Sequence, residues 1–166
     1  MTTYDPPVSA YVPLASTSIA SGTTNIRFTG LDAYDTYQIH LTGVASAAFN
    51  MCLRLNNDSS TTYYYQTLGG DSGANAAFVN SGPVTGFSYT ARGNYCLGTF
   101  HQVYTLYMCQ TAGEDITTFV EGYGDDTWPY FTGIHYPVAG TLSQIDLFPL
   151  ANNISSGHVA IYGLGR

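Results

Sequence analysis

The stretch TYQIHLTG, residues 36–43, sets Tyr37, Ile39 and Leu41 alternately with Gln38, His40 and Thr42. Successive side chains of an extended chain point to opposite faces, so this spacing makes a β-strand with one apolar and one polar face. The same period recurs outward from it. Residues 25–29 send Ile26 and Phe28 to one side, and residues 49–55 set Phe49, Met51, Leu53 and Leu55 against Asn50, Cys52 and Arg54. The Tyr-rich run 61–68 is expected to pair with 49–55 across the turn Asn56-Asn57-Asp58-Ser59. Further strand-like runs lie at 100–110, 116–123, 142–148 and 158–162. No window sustains an i, i+3, i+4 apolar pattern, Lys is absent, and the only Glu residues are Glu114 and Glu121. Helix formers are therefore scarce, and about eight short strands separated by turn residues predict an all-β chain. The expected fold is an antiparallel β-sandwich, jelly-roll-like, in a single domain.

Two stretches lack that alternation. Residues 1–24 carry Pro6, Pro7 and Pro13 followed by the small-residue segment STSIASGTT. Proline fixes an extended backbone and cannot serve a central ladder, so 1–24 reads as an extended N-terminal arm leading into a sandwich domain at 25–166. Residues 69–99 hold seven glycines and Pro83 and read as long loops, with one short strand at 87–90. Long loops on a rigid sandwich are where contacts concentrate.

Charge narrows the function classes. Only 9% of residues are charged, the four cations are Arg27, Arg54, Arg92 and Arg166, and the net charge is −7. An acidic chain without a basic cluster is unsuited to nucleic-acid backbones. No apolar run approaches the roughly 20 residues of a spanning helix, and the first residues lack the pattern of a secretory signal, so neither a membrane partner nor export is expected. The 15 tyrosines combine an apolar ring with a polar tip, suiting large neutral protein contacts or sugar contacts. Cys52, Cys96 and Cys109 show no metal spacing and read as buried thiols that pack as small hydrophobes.

Catalytic readings fail one by one. GGDSGAN, residues 69–75, contains the tetrapeptide that surrounds the nucleophile of chymotrypsin-like proteases. Such an enzyme needs its His base well upstream, yet the only His before Ser72 is His40, inside a plain alternating strand. Gly-Gly-Asp-Ser-Gly reads instead as a turn. Glu114-Asp115, Asp125-Asp126 and Asn57-Asp58 lack EF-hand spacing, so neither metal nor other cofactor is expected. No enzymatic function is predicted. The aromatic run GYGDDTWPYFTGIHY, residues 122–136, offers a ligand or partner face made of Asp125, Asp126, Trp128, Tyr130 and Phe131, with Trp128 in a loop-like setting before Pro129.

Both ends of the chain carry a further pattern. YVPLASTSIASGTTNIRFTGLDAYDTYQIHLTGV, residues 11–44, runs from a Tyr-x-Pro-Leu-Ala segment through small residues to an Ile-x-Phe strand, a Tyr-centred turn and a second apolar strand. QIDLFPLANNISSGHVAIYGLGR, residues 144–166, closes the chain with Ile-x-Leu-Phe, a polar loop and a strand ending Tyr-Gly-Leu, and LRLNNDSSTTYYYQ lies between at 53–66. These segments resemble the opening, closing and Arg-x-Asn…Tyr-Tyr segments of small tailed-bacteriophage virion proteins. The resemblance scarcely touches 69–140. It implies a β-sandwich structural part of the particle, either a capsid decoration (cement) protein or a tail-tip or fibre component. The implied location is the virion, assembled in the host cytoplasm. Implied partners are the major capsid protein and copies of the chain itself, as a dimer or trimer. Tyr4, Pro6, Pro7, Tyr11, Pro13 and Leu14 are then expected to make arm contacts. The alternative is a tail-fibre receptor- or carbohydrate-binding module that uses the 122–136 face on a host-surface glycan.

Overall fold

The computed structural model describes residues 11–45, 51–60, 62–71, 74–89, 101–110, 114–124 and 127–164. All regular structure among them is β: β1 (Tyr11–Ile19), β2 (Ile26–Thr29), β3 (Thr36–Ala45), β4 (Met51–Leu55), β5 (Thr62–Asp71), β6 (Ala74–Thr85), β7 (Ser88–Tyr89), β8 (His101–Gln110), β9 (Ile116–Gly124), β10 (Thr127–Tyr136), β11 (Gln144–Pro149) and β12 (Ile154–Leu164). They form an eight-stranded sheet in the order β1-β12-β3-β8-β9-β10-β5-β6 and a four-stranded sheet in the order β2-β11-β4-β7. Neighbours in both sheets are antiparallel.

The alternation read in 36–43 sets the large sheet's inner face. Tyr37, Ile39 and Leu41 are buried, while Thr42 on the opposite phase is exposed. They share one core cluster with Leu106 and Met108 of β8 and Ile134 of β10. From the small sheet, Ile26, Phe28, Leu53, Leu55, Ile145 and Leu147 join the same cluster. Two antiparallel sheets thus enclose a common apolar layer in a sandwich-like arrangement.

On the small sheet's other face, Asp146 of β11 stands opposite both Arg27 of β2 and Arg54 of β4. It is only 2% exposed, yet it accepts hydrogen bonds from Arg27 Nε at 2.6 Å, Asn25 Nδ2 at 2.9 Å and Gln144 Nε2 at 2.5 Å. Desolvation pushes its pKa up, but these donors and the Arg27 charge outweigh that and hold the carboxyl below the usual carboxylate range. The ionised Asp146 fastens β2 to β11.

Four sequence expectations are corrected. Residues 49–55 and 61–68 do not form a hairpin, because β4 pairs with β11 and β7 while β5 pairs with β10 and β6. The turn itself exists: Asn56 and Asn57 have φ of 52° and 53°, and the Asp58 N–H donates to Leu55 O at 2.9 Å. It carries the chain from one sheet to the other, so that Leu55 and Tyr63 meet across the core. Second, residues 11–19 are strand β1, paired with β12 at the end of the large sheet. Their alternation was invisible because every side chain but Leu14 and Ile19 is exposed. Pro13 is accommodated because the strand is an edge and the register shifts between Pro13 and Ala15. Third, much of 69–99 is strand, comprising the end of β5 and β6, which forms the sheet's opposite edge. Edge position again tolerates Gly82 and Pro83 of β6. Within GGDSGAN, Asp71 pairs with Ala74; Ser72 and Gly73, where the turn was expected, lie outside the described residues. Fourth, Cys109 is exposed on the outer face of β8, whereas Cys52 is buried as expected; Cys96 lies outside the described residues. The Cys109 phase follows from its neighbours, since Met108 and Gln110 on the other phase are buried.

Candidate functional site: the outer face of the large sheet

The residues that alternate with the core set on β8, β9, β10 and β5 project from the sheet's outer face. Register places Tyr107 of β8 opposite Phe119 of β9, Phe119 opposite Gly133 of β10, and Gly133 opposite Gln66 of β5. One step along the strands, Glu121 stands opposite Phe131; one step the other way, Thr117 stands opposite His135 and His135 opposite Tyr64. Polar residues normally occupy the solvent phase of such a sheet. Here Tyr64 is 50% exposed, Phe119 45%, Val103 45% and Tyr107 39%. Exposed apolar rings on the solvent phase of the sheet make this face the candidate site.

The rings are ordered relative to one another. Phe119 and Phe131 stack at 5.9 Å with 22° between their planes, and Tyr64 lies 5.9 Å from the His135 ring at 30°. His135 Nε2 is 2.8 Å from Asp115 Oδ2, which fixes how the imidazole faces its neighbours. Gly133 is central to this pattern. A Cβ built there would meet nothing within 4 Å, so the space over the glycine, which stands between Phe119 and Gln66 in the register, is open. An open-sided groove of about 660 Å³ runs beside it, lined by Tyr64, Gln66, Pro83, Thr117, Gly133 and His135 among others. Among the described residues no group of three or more His, Cys, Asp or Glu side chains could hold a metal ion.

The candidates read from sequence fall out unevenly. Phe131 is on this face and 37% exposed. Trp128 and Tyr130 belong to β10 and not to a loop; the register shift between Thr127 and Tyr130 marks an irregularity there. Asp125 and Asp126 lie outside the described residues. Tyr136, in the same aromatic run, is a core residue stacked on Tyr63 at 4.9 Å. Of the arm residues, Tyr11 and Pro13 are exposed, Leu14 packs against the core, and Tyr4, Pro6 and Pro7 lie outside the described residues.

Sequence reasoning missed Tyr64, Phe119, Gly133 and His135. The signal for Phe119 was present. In ITTFVEG it shares a phase with Thr117 and Glu121, so it is an aromatic on the solvent side of its strand. Tyr64 gave no such signal, because Tyr63 and Tyr65 put the same residue on both phases. No protein-family model matches the chain, and no curated protein sequence does either.

Proposed function

We propose that this chain is a structural protein of a tailed-bacteriophage virion, a capsid decoration (cement) protein that grips the shell through its N-terminal arm and the adjoining sandwich surface. The observation that carries the reading is where the virion-like segments fall. Residues 11–44 supply β1, β2 and β3, and residues 144–166 supply β11 and β12. In space these are neighbours, β1-β12-β3 in one sheet and β2-β11 in the other, with β4 of the third segment beside β11. The first and last segments, far apart in sequence, thus lie side by side in both sheets, while the Tyr-rich end of the third segment runs into β5 toward the other end of the large sheet.

We read the fold as jelly-roll-like. What supports this is the order β2-β11-β4-β7 in the small sheet and β3, β10, β5, β6 in the large one, with the β8–β9 hairpin inserted between β3 and β10. That is the strand order of two interlocked Greek keys, an architecture used by viral shell and lectin domains. In this reading β1 is the base of the arm. It is an end strand without a charged residue, YVPLASTSI, and such an edge can take a further strand from a neighbour. Copies arranged as a dimer or trimer would multiply weak arm contacts into firm attachment.

Deleting residues 1–10 tests this. The β1–β12 ladder, from Tyr11 opposite Leu164 onward, lies wholly outside the deletion, so the variant is expected to fold with unchanged thermal stability. It is expected to lose co-sedimentation with capsids that the full chain decorates. Undiminished attachment would remove the arm from the mechanism.

A further inference from the structure

From the groove at Gly133 we infer a second capacity: a binding site for a neutral saccharide on the outer face of the large sheet. Sugar rings present C–H faces that stack on aromatic rings and a rim of hydroxyls that need both donors and acceptors. The groove offers both within a few residues. Tyr64 and its His135 neighbour line it, and Phe119, stacked on Phe131, stands beside Gly133 in the register, next to the groove and not in its lining. Around them are the Gln66 amide, the Thr117 hydroxyl and the His135 imidazole. An amide and a hydroxyl each donate and accept, as ring hydroxyls demand.

Shape and charge define the occupant further. Phe119 and Gln66 are on strands two apart, which sets their backbones about 10 Å from each other. Only the glycine lies between them, and the space over it is open. The groove is open-sided, so a sugar ring can lie over Gly133 with its C–H face against Tyr64 and its hydroxyls toward Gln66, Thr117 and His135. The charged residues nearest the groove include Glu121, opposite Phe131, and Asp115, which holds His135. Together with a net charge of −7, they disfavour uronic or sialic acids and favour an uncharged sugar. The inference does not depend on placement on the shell, because a decoration protein and a tail component can both present this face.

The test uses the full chain on a glycan microarray of neutral and anionic saccharides, followed by saturation-transfer NMR with the strongest neutral ligand. Saturable binding to a neutral saccharide is expected. It should weaken roughly tenfold or more in Tyr64→Ala, Phe119→Ala and Gly133→Val, each of which alters an exposed position. Leu150→Ala, exposed outside the strands, serves as the control and should bind as the unaltered chain does. Circular dichroism melts would confirm that all four variants fold. Absence of saturable binding to any neutral sugar would overturn the inference, and so would preference for anionic glycans alone or full binding by Gly133→Val. If Tyr64→Ala instead breaks an oligomer and no sugar binds, the face is a contact between copies and the saccharide site is refuted.

Discussion

Gly157→Ala is expected to destabilise the protein by about 3 kcal/mol, at the upper end of what overpacking costs. Gly157 of β12 lies opposite Gly43 of β3, next to the irregular register between Ile154 and Ser156. A Cβ at Gly157 would sit 2.2 Å from Thr42 O and 2.8 Å from Gly43 Cα. Both are backbone atoms of a strand hydrogen-bonded on its two sides, so the clash cannot be relieved by rotating a side chain. The ladder itself must move. Gly43→Ala is the matched comparison. Its Cβ would meet Ser156 O at 3.4 Å and Ile154 Cγ2 at 3.5 Å, ordinary contacts. Thermal melts should therefore show a drop of roughly 6–12 °C for Gly157→Ala and a much smaller one for Gly43→Ala. Equal effects would mean that glycine at 157 is not required by close strand approach.

The second large effect concerns Tyr63, which ties the two sheets together through the core. Its ring is fully buried against Tyr136. Its hydroxyl receives the Leu55 N–H at 3.1 Å and lies 3.2 Å from Asp58 O, which it can donate to. Tyr63→Ala is expected to cost about 3–5 kcal/mol, the range for emptying an aromatic site. Tyr63→Phe keeps the packing but strands a buried amide donor, at about 1–3 kcal/mol. The phenol also predicts a pH signature. Burial pushes its pKa from 10.0 up to about 12, with the Leu55 hydrogen bond opposing and the nearby Asp58 charge adding to the rise. The folded state then holds its proton where the unfolded chain has lost it. This contribution to stability is complete below pH 10 and is lost as pH climbs from 10 toward 12. Over that window the unaltered chain should lose ground to Tyr63→Phe by up to about 1.4 kcal/mol per pH unit. Urea titrations of both proteins at pH 9 and pH 11 would measure it; a constant gap would show that Tyr63 does not titrate differently on folding.

What the sequence disclosed follows from which side of a strand is buried. Strands with one face in the core, such as β2, β3 and β9, announce themselves because burial enforces alternation. The edge strand β1 does not, since it is exposed on both faces and its small residues carry no period. β6 was obscured by Gly82 and Pro83, residues that break central strands and are tolerated on edges. The turn at Asn56-Asn57 was legible, but its role was not: a tight turn looks the same in sequence whether it closes a hairpin or passes between sheets. The candidate site was half legible for a related reason. Phe131 was singled out from an aromatic run, yet the groove depends on Gly133, and the importance of an absent side chain appears only once Phe119 and Gln66 are known to flank it.

The central claim concerns place and number, so the most direct measurement is the copy number of this protein per virion. Quantitative mass spectrometry of purified particles, scaled to the major capsid protein, would supply it. A decoration protein is expected at a stoichiometry comparable to that of the shell subunits, on the order of one copy or one oligomer per repeating lattice position. A few copies, or a few dozen, would contradict the shell assignment and place the chain on the tail, where its aromatic sheet face would serve receptor binding instead.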